Sequence, residues 1–487
     1  MSCGIASVTD VIGTDDAVEI AIEIAEGLQH RGELGAGIAG AREGMIHVLK
    51  GNGSVQEVLS LPKRADFKAS SAIAHTRYAT SGSRDPSLAQ PFMAPDGSFA
   101  FGFNGNIANH AEVAAKLRGQ GNTLKTSVDT ELILLLLIEK FRQETKSRIG
   151  EVFSGLERQL DGSFNISLLT ADGSTYAYRN GNGNRPLSYA FVQDRYVITS
   201  SEDSAIKRVF PNAETNDLAP GHLLYAEHEK WGTEPITNIE HARCFFEWVY
   251  FAHYLSAYDG VSVQGARYQF GQQLAQMDST VLKDGVVVPV PDSAETAGYG
   301  YAHAKRLPLA HGIEKIGKWR TFIAGKEDRE EKAKKKYGFH PDLLHGRNIV
   351  LVDDSMVRGT TLRALIGRLR SEANVSKIHL RIACPPILAP CYYGIDFSTV
   401  AELISRKQWN GILASGTLPP RALAMLAENL GADSIQFLSV EAIRCVLSKH
   451  QNGLCMACVT GKYPTEAGGK LYAIESGAGA GACGDIG

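Results

Sequence analysis

Residues 349–361 read Ile349-Val350-Leu351-Val352-Asp353-Asp354-Ser355-Met356-Val357-Arg358-Gly359-Thr360-Thr361. An unbroken apolar, largely β-branched run leads straight into two carboxylates, the pattern of a strand buried on both faces in a parallel sheet covered by helices. Such sheets present their ligands where the strands end. The residues that follow are small or hydroxyl-bearing and open helix-forming sequence. Backbone N–H groups of 356–361, with the Thr360 and Thr361 hydroxyls, suit a phosphate, because a helix N-terminus combines unsatisfied donors with the positive end of the dipole. Gly359 lets the backbone come close.

Asp353 and Asp354 repel phosphate but suit ribose hydroxyls and the Mg²⁺ that accompanies a pyrophosphate. No GxxxxGK[ST] sequence occurs, which sets the segment apart from a Walker loop. Two adjacent acids alone would read equally as a solvated strand end; the specificity lies in the whole run. A second run of the same kind, VVVPVPDS, ends at Ser293.

The chain has 487 residues, 44% hydrophobic and 21% charged, enough for two or three domains with their own cores. A net charge of −3 and a pI near 6.5 give no field to draw it to nucleic acid or an anionic membrane, so the partners expected are small molecules. The longest apolar run, Leu132 to Ile138, is too short to span a bilayer, and no secretory leader pattern is present, which points to the cytoplasm. Eight cysteines are too sparse for a disulfide scaffold and have to be judged singly.

Towards the N-terminus, short apolar runs at 5–8, 45–49, 71–74 and 99–103 alternate with turn residues, as strands do. Ala17 to Leu28 and Asp129 to Arg142 carry helical periodicity. Near 213–240 the sequence becomes polar and reads as a last strand pair and a linker, with the domain boundary at 237/238. Residues 466–487 form a Gly/Ala-rich tail, of which GAGAGACGDIG, 477–487, reads as disordered and leaves Cys483 incidental.

VLVDDSMVRGTT resembles the phosphoribosyl pyrophosphate loop of type I phosphoribosyltransferases, in the form found in the amidophosphoribosyltransferase family. The resemblance implies that Asp353, Asp354, Ser355, Arg358, Gly359, Thr360, Thr361 and Arg320 meet phosphoribosyl pyrophosphate, and that Ser293, Asp353 and Asp354 surround Mg²⁺; a plain turn residue is the competing reading of Ser293. The first part of the chain is similar to the same family's Ntn-hydrolase glutaminase: Cys3-Gly4-Ile5, His30-Arg31-Gly32, His75 to Thr80, Asn104-Gly105-Asn106 and Ser127 to Glu131 occur in family order. It implies a Cys3 nucleophile, an oxyanion hole from Asn104 and Gly105, and a glutamine clamp from Arg77, Asp129 and His75. A buried structural thiol is the competing reading of Cys3. The base in this fold is the nucleophile's own α-amine, so Ser2 has to be trimmed as well as Met1 to release it.

Cys455-Met456-Ala457-Cys458 alone would serve zinc, redox exchange or nothing. Within the resemblance, Cys244, Cys391, Cys455 and Cys458 fall where cluster-bearing relatives hold a [4Fe–4S] centre, with zinc as the alternative and a structural role implied. Cys384 and Cys445 are left as core residues. Two segments depart from the family: His253-Tyr254-Leu255-Ser256 replaces Arg-Pro-Asp-Ser, and Glu314 to Arg320 keeps only the last arginine of a longer basic stretch. The charge run Gly325 to Gly338 reads either as a solvated helix face or as a lid whose lysines and arginines make up the lost contacts.

The fold class expected is an N-terminal αββα Ntn-hydrolase sandwich, 3–237, followed by an α/β type I phosphoribosyltransferase domain, 238–465, built on a parallel sheet. The resemblance implies a homo-oligomer, dimer or tetramer, that moves ammonia from glutamine to phosphoribosyl pyrophosphate. Its product, 5-phosphoribosylamine, opens purine biosynthesis. The alternatives are a non-catalytic relative that binds the same sugar phosphate or nucleotides as a regulator, and a transferase fed by free ammonia.

Overall fold

A computed structural model describes residues 3–13, 16–60, 67–78, 85–143, 149–227, 230–280, 284–316, 336–395, 397, 399–408, 417–450 and 452–477. Strand alternation sets the first unit. In β1 (Gly4–Asp10) Ala6 and Val8 pack under helices, while Ile5, Ser7 and Thr9 point the other way, Ser7 Oγ meeting Thr199 Oγ1 at 2.6 Å. Both faces are therefore covered, and every residue of β1 is buried.

β1 lies inside an antiparallel seven-stranded sheet ordered β11 (Asn216–Asp217), β9 (Ser188–Val192), β10 (Tyr196–Ser200), β1, β4 (Ser71–Arg77), β2 (Gly35–Arg42), β3 (Met45–Asn52). A six-stranded antiparallel sheet faces it, ordered β13 (Lys230–Pro235), β12 (His222–Glu227), β8 (Thr175–Arg179), β7 (Gly162–Thr170), β6 (Phe99–Ile107), β5 (Phe92–Met93). Helices α1 (Ala17–Gly27) and α5 (Asp203–Val209) cover the first sheet. Helices α2 (His110–Gly119), α3 (Asp129–Gln143) and α4 (Ile149–Glu157) cover the second. Ile5, Ile73, Ala100, Leu169, Val197 and Leu224 fill the space between the sheets, which completes an αββα sandwich.

The second unit opens with β14 (Arg243–Cys244), which pairs in parallel with the late strand β23 (Leu454–Cys455). A tight hairpin, β15 (Ala257–Tyr258) and β16 (Val261–Ser262), follows. The core sheet is wholly parallel, ordered β17 (Val286–Pro289), β20 (Asn348–Asp353), β21 (Lys377–Ile382), β22 (Ser434–Phe437). Its apolar strands share one core with helices α6 (Val263–Met277), α7 (Glu295–Lys305), α8 (Thr360–Ser371), α9 (Pro420–Leu430) and α10 (Val440–Val446). A small antiparallel pair, β18 (Ile313–Lys315) and β19 (Tyr337–Phe339), brackets residues 317–335, so Arg320 and most of the charge run lie outside the described residues.

Two sequence expectations change. Cys445 is exposed, because α10 turns Val440, Ala442 and Ile443 inward and leaves its last turn outside; Cys384 is fully buried. The stretch assigned to the tail begins with a folded helix, α11 (Glu466–Glu475), which Thr465 caps by accepting the Gly468 N–H. Composition hid that cap among glycines and alanines. Residues 478–487, Cys483 included, lie outside the described residues.

The two units meet through buried charge. Arg31 bonds Glu202 and, at 2.9 Å, Glu247; Arg185 reaches the same Glu247 oxygen at 3.0 Å and the Tyr393 carbonyl at 2.7 Å. Glu202 in turn accepts the His253 N–H and the Ser256 hydroxyl, each at 2.8 Å. All four side chains are within 1% of full burial. Burial alone would raise the Glu202 carboxyl, but His30 and Arg31 hold it well below the usual carboxylate range. Removing one member strands its partners in a low dielectric: Glu247→Ala should cost about 3–5 kcal/mol and lower the thermal unfolding midpoint. The exposed Glu466–Lys470 pair is the control, and Glu466→Ala should leave the midpoint where it was.

Two candidate active sites and a cysteine group

β1 begins beside the end of β4, since Gly4 pairs with Thr76. That register puts the Cys3 thiol against Tyr78, whose N–H donates to Sγ at 3.4 Å. The other side of Cys3 is held by Arg31, which donates through Nε to the Cys3 carbonyl at 3.2 Å. Desolvation pushes the thiol pKa up, so the resting group is protonated and needs a base.

His75 and Arg77 share the inner face of β4. His75 lies between the sheets, 1% exposed, with Nε2 bonded to the Phe103 carbonyl at 3.1 Å; burial drops its pKa to about 3, so the ring stays neutral. Arg77 stands at the strand end, and Lys50 on β3, two strands away, is pushed down to about 8 by burial and by Arg77. Two cations that destabilise each other in one place suit a carboxylate. Asn104 and Gly105 sit in mid β6, where a Cβ on Gly105 would stand 1.9 Å from the Ser163 carbonyl oxygen. Asp129 opens α3 and accepts the Ile107 N–H at 3.0 Å; burial raises its pKa to about 6. The site touches the second unit directly, since a Cβ on Gly394 would lie 3.3 Å from the Gly105 carbonyl.

Asp353 ends β20, and its carboxylate accepts the Asp354 N–H at 2.9 Å. Asp354 takes the hydroxyls of Ser293 and, at 2.5 Å, Ser355. Burial raises both carboxyl pKa values, and for Asp353 the neighbouring Asp354 adds to it. Gly359 caps α8 at φ +71°, a left-handed conformation that favours glycine. Thr360 and Thr361 form the first turn of α8, where N–H groups have no helical partner. Arg358 is drawn to Glu402 at 3.1 Å.

Sequence reasoning missed several groups here. Arg267, buried, holds the Trp248 and Ala252 carbonyls at 2.9 and 2.8 Å and acts electrostatically on Asp354. Lys336, the last lysine of the charge run, acts on both Asp353 and Asp354. The lost-contact reading of that run had pointed to such a residue, without saying which. Glu202, Glu247 and Lys50 had no local motif to reveal them.

A magnesium ion fits Ser293, Asp353 and Asp354: the paired carboxylates are buried together and carry more negative charge than their neighbours neutralise. The cysteine fit is less complete. Cys244 and Cys455 are cross-strand partners, the Leu388 and Ala389 N–H groups hold the Cys458 carbonyl at 2.8 and 3.0 Å, and Cys458 feels Cys391, Cys244 and Cys455. All four are free thiols. They are neighbours, yet among the described residues no set of three or more His, Cys, Asp or Glu side chains closes on a common metal position. Among the described residues no helix is long and apolar enough to cross a membrane.

A family model described as a glutamine amidotransferase domain matches residues 75–208, the span holding Arg77, Asn104 and Asp129. Similarity to curated proteins runs through both units. An amidophosphoribosyltransferase of Bacillus subtilis (strain 168) is 34% identical over 476 residues, covering 95% of this chain and 94% of the relative. One from Pyrococcus horikoshii is 36% identical over 442 residues, covering 90% and 92%. The solved structure of glutamine phosphoribosylpyrophosphate (PRPP) amidotransferase from B. subtilis, complexed with ADP and GMP, superposes with a TM-score of 0.82 at 32% identity, covering 96% of this chain and 98% of that one. With both halves matched in sequence and in fold, the chain belongs to the amidophosphoribosyltransferase family.

Proposed function

We propose that the chain hydrolyses the side-chain amide of glutamine at Cys3 and passes the ammonia to PRPP, giving 5-phosphoribosylamine, pyrophosphate and glutamate, the first step of purine biosynthesis. The observation that carries this reading is that a nucleophile-bearing sandwich and a buried Asp353–Asp354 strand end lie on one chain, joined by the Arg31–Glu247–Arg185 charges.

In the first half-reaction the Cys3 thiol gives its proton to its own α-amine, which requires removal of whatever precedes Cys3. The thiolate, steadied by the Tyr78 N–H, adds to the amide carbon. The Asn104 side chain and the Gly105 N–H receive the oxyanion. Arg77, with Lys50 behind it, pairs with the substrate's α-carboxylate, and Asp129 takes the α-ammonium. Neutral His75 acts one layer below, tying β4 to Phe103 and so setting Arg77. Collapse of the adduct releases ammonia with the returned proton, and water then hydrolyses the thioester to glutamate.

In the second half-reaction ammonia adds to C1 of the sugar, the C1–O bond breaks, and its electron pair leaves with pyrophosphate. Ser355 and the first turn of α8, through Thr360 and Thr361, hold the 5-phosphate; the acid pair orients the ribose hydroxyls. Ser293, Asp353 and Asp354 would hold Mg²⁺, which supplies charge neutralisation to the pyrophosphate. Lys336 is the cation available beside the acid pair, and Arg320, outside the described residues, remains assigned to the same anion. Because the product hydrolyses readily, the ammonia path has to exclude water. The four thiols of Cys244, Cys391, Cys455 and Cys458 would hold a [4Fe–4S] cluster that ties β14, β23 and the 391 loop together; proximity and free thiols support it, and zinc is the other occupant such donors accept.

The mature protein should begin at Cys3 by intact mass and release glutamate from glutamine. An N-terminus at Ser2 with no glutamate release would reject the glutaminase assignment. Cys3→Ala should abolish glutamate release yet keep pyrophosphate release when ammonium is supplied. Asp129 is charged above its raised pKa of about 6 and neutral below it, so glutamine affinity is present at high pH and lost as pH falls through that value. The glutamine KM should therefore rise about tenfold per pH unit below that point, and Asp129→Asn should flatten the profile at a high KM. Protein purified without oxygen should be brown and carry about four iron atoms per chain; a colourless, iron-free preparation would overturn the cluster.

A further inference from the structure

A cleft of about 500 Å³, lined by none of the residues assigned to the substrate sites, is walled by His241 and Arg243 from one side and Ser448, Lys449, His450 and Asn452 from the other. Its size falls in the range of small-ligand pockets. Every side chain on that wall can donate a hydrogen bond, and none is a carboxylate.

The nearest acid, Asp259 in the β15–β16 turn, is already engaged. Arg179 bonds both of its oxygens, at 2.8 and 2.9 Å, and Arg243 adds Nε. His450 donates through Nε2 to the Asp259 main-chain carbonyl at 2.9 Å, which fixes the ring and uses the one N–H of a neutral imidazole. Among the described residues the two terminal nitrogens of Arg243 bond nothing, and Lys449 has no ion pair. Lys449 Nζ instead lies against the bare Cα of Gly260, 2.2 Å from where a Cβ would be, and Arg243 Nη1 lies 3.2 Å from the corresponding point on Gly453. Missing side chains at both glycines let the two cations flank one space.

We propose that this cleft binds a small phosphate-bearing anion. A guanidinium with free forked donors, an ammonium, the His241 imidazole, an amide and a hydroxyl form the donor set that a tetrahedral dianion satisfies. Position gives the site a consequence. Arg243 donates its N–H to the Gly453 carbonyl at 2.7 Å and pairs with Leu454, and the next pair along the two strands is Cys244 and Cys455. An anion held between Arg243 and Lys449 therefore clamps the strand pair that carries two of the four thiols.

Equilibrium dialysis of the full chain against radiolabelled inorganic phosphate, pyrophosphate and a nucleoside monophosphate tests this. Two classes of site are expected in the unaltered protein. Lys449→Glu and Asn452→Asp should each weaken one class by about tenfold or more, leaving ammonia-dependent pyrophosphate release unchanged; Thr360→Val with Thr361→Val should weaken only the other. Filling of the cleft by inorganic phosphate assigns recognition to the phosphate group alone, whereas filling by the nucleotide only adds the base and sugar to the ligand. A single class abolished by the threonine variants, or two classes indifferent to Lys449→Glu and Asn452→Asp, overturns the site.

Discussion

Arg31, Glu202, Glu247 and Arg185 form a buried ion group on which both halves of the molecule rest. Two guanidiniums and two carboxylates removed from water would be a heavy desolvation cost if any were missing, so the group holds only as a set. Its members come from both units: Arg31, Arg185 and Glu202 from the sandwich, Glu247 from the turn that opens the second. One end holds the Cys3 carbonyl; the other reaches the Tyr393 carbonyl two residues beyond Cys391. The backbone of Cys3, the proposed nucleophile, is thus tied through Arg31 to a carboxylate of the second unit.

A second constraint acts at the end of β20. Two adjacent carboxylates are held at a buried strand end, where burial raises both pKa values. Polar satisfaction comes from Ser293 and Ser355, and positive charge arrives from Arg267 and Lys336 without full pairing. A site left electrostatically incomplete in this way favours a cation and a polar substrate over the empty state. In the segment His253 to Ser256 the His253 main-chain N–H and the Ser256 hydroxyl both donate to Glu202, contacts that do not depend on the exchanged side chains of 253–255, for which the structure gives no explanation.

Local patterning made much of the molecule readable in advance. The apolar run of 349–352 and Gly359 announced a parallel strand and a helix start, and both are found there. Ala17 to Leu28 and Asp129 to Arg142 showed their helices within a residue of the observed ends. Cys445 was misread because a cysteine in an apolar sequence says nothing about which face of a short helix it occupies. The first turn of α11 was hidden because composition averages over the single capping threonine that starts it.

Sequence by itself determined the strand and helix periodicities, the phosphate-cradle loop, the order of the glutaminase motifs and the family they resemble, because each depends on neighbours within a few residues. Tertiary structure alone decided that Arg31 meets a carboxylate 216 positions away, that Asp129 sits near a pKa of 6 while His75 falls to about 3, and that Lys336 stands beside the acid pair. Those outcomes depend on desolvation and on charges brought together by folding, and neither quantity exists in the chain until its two units have packed.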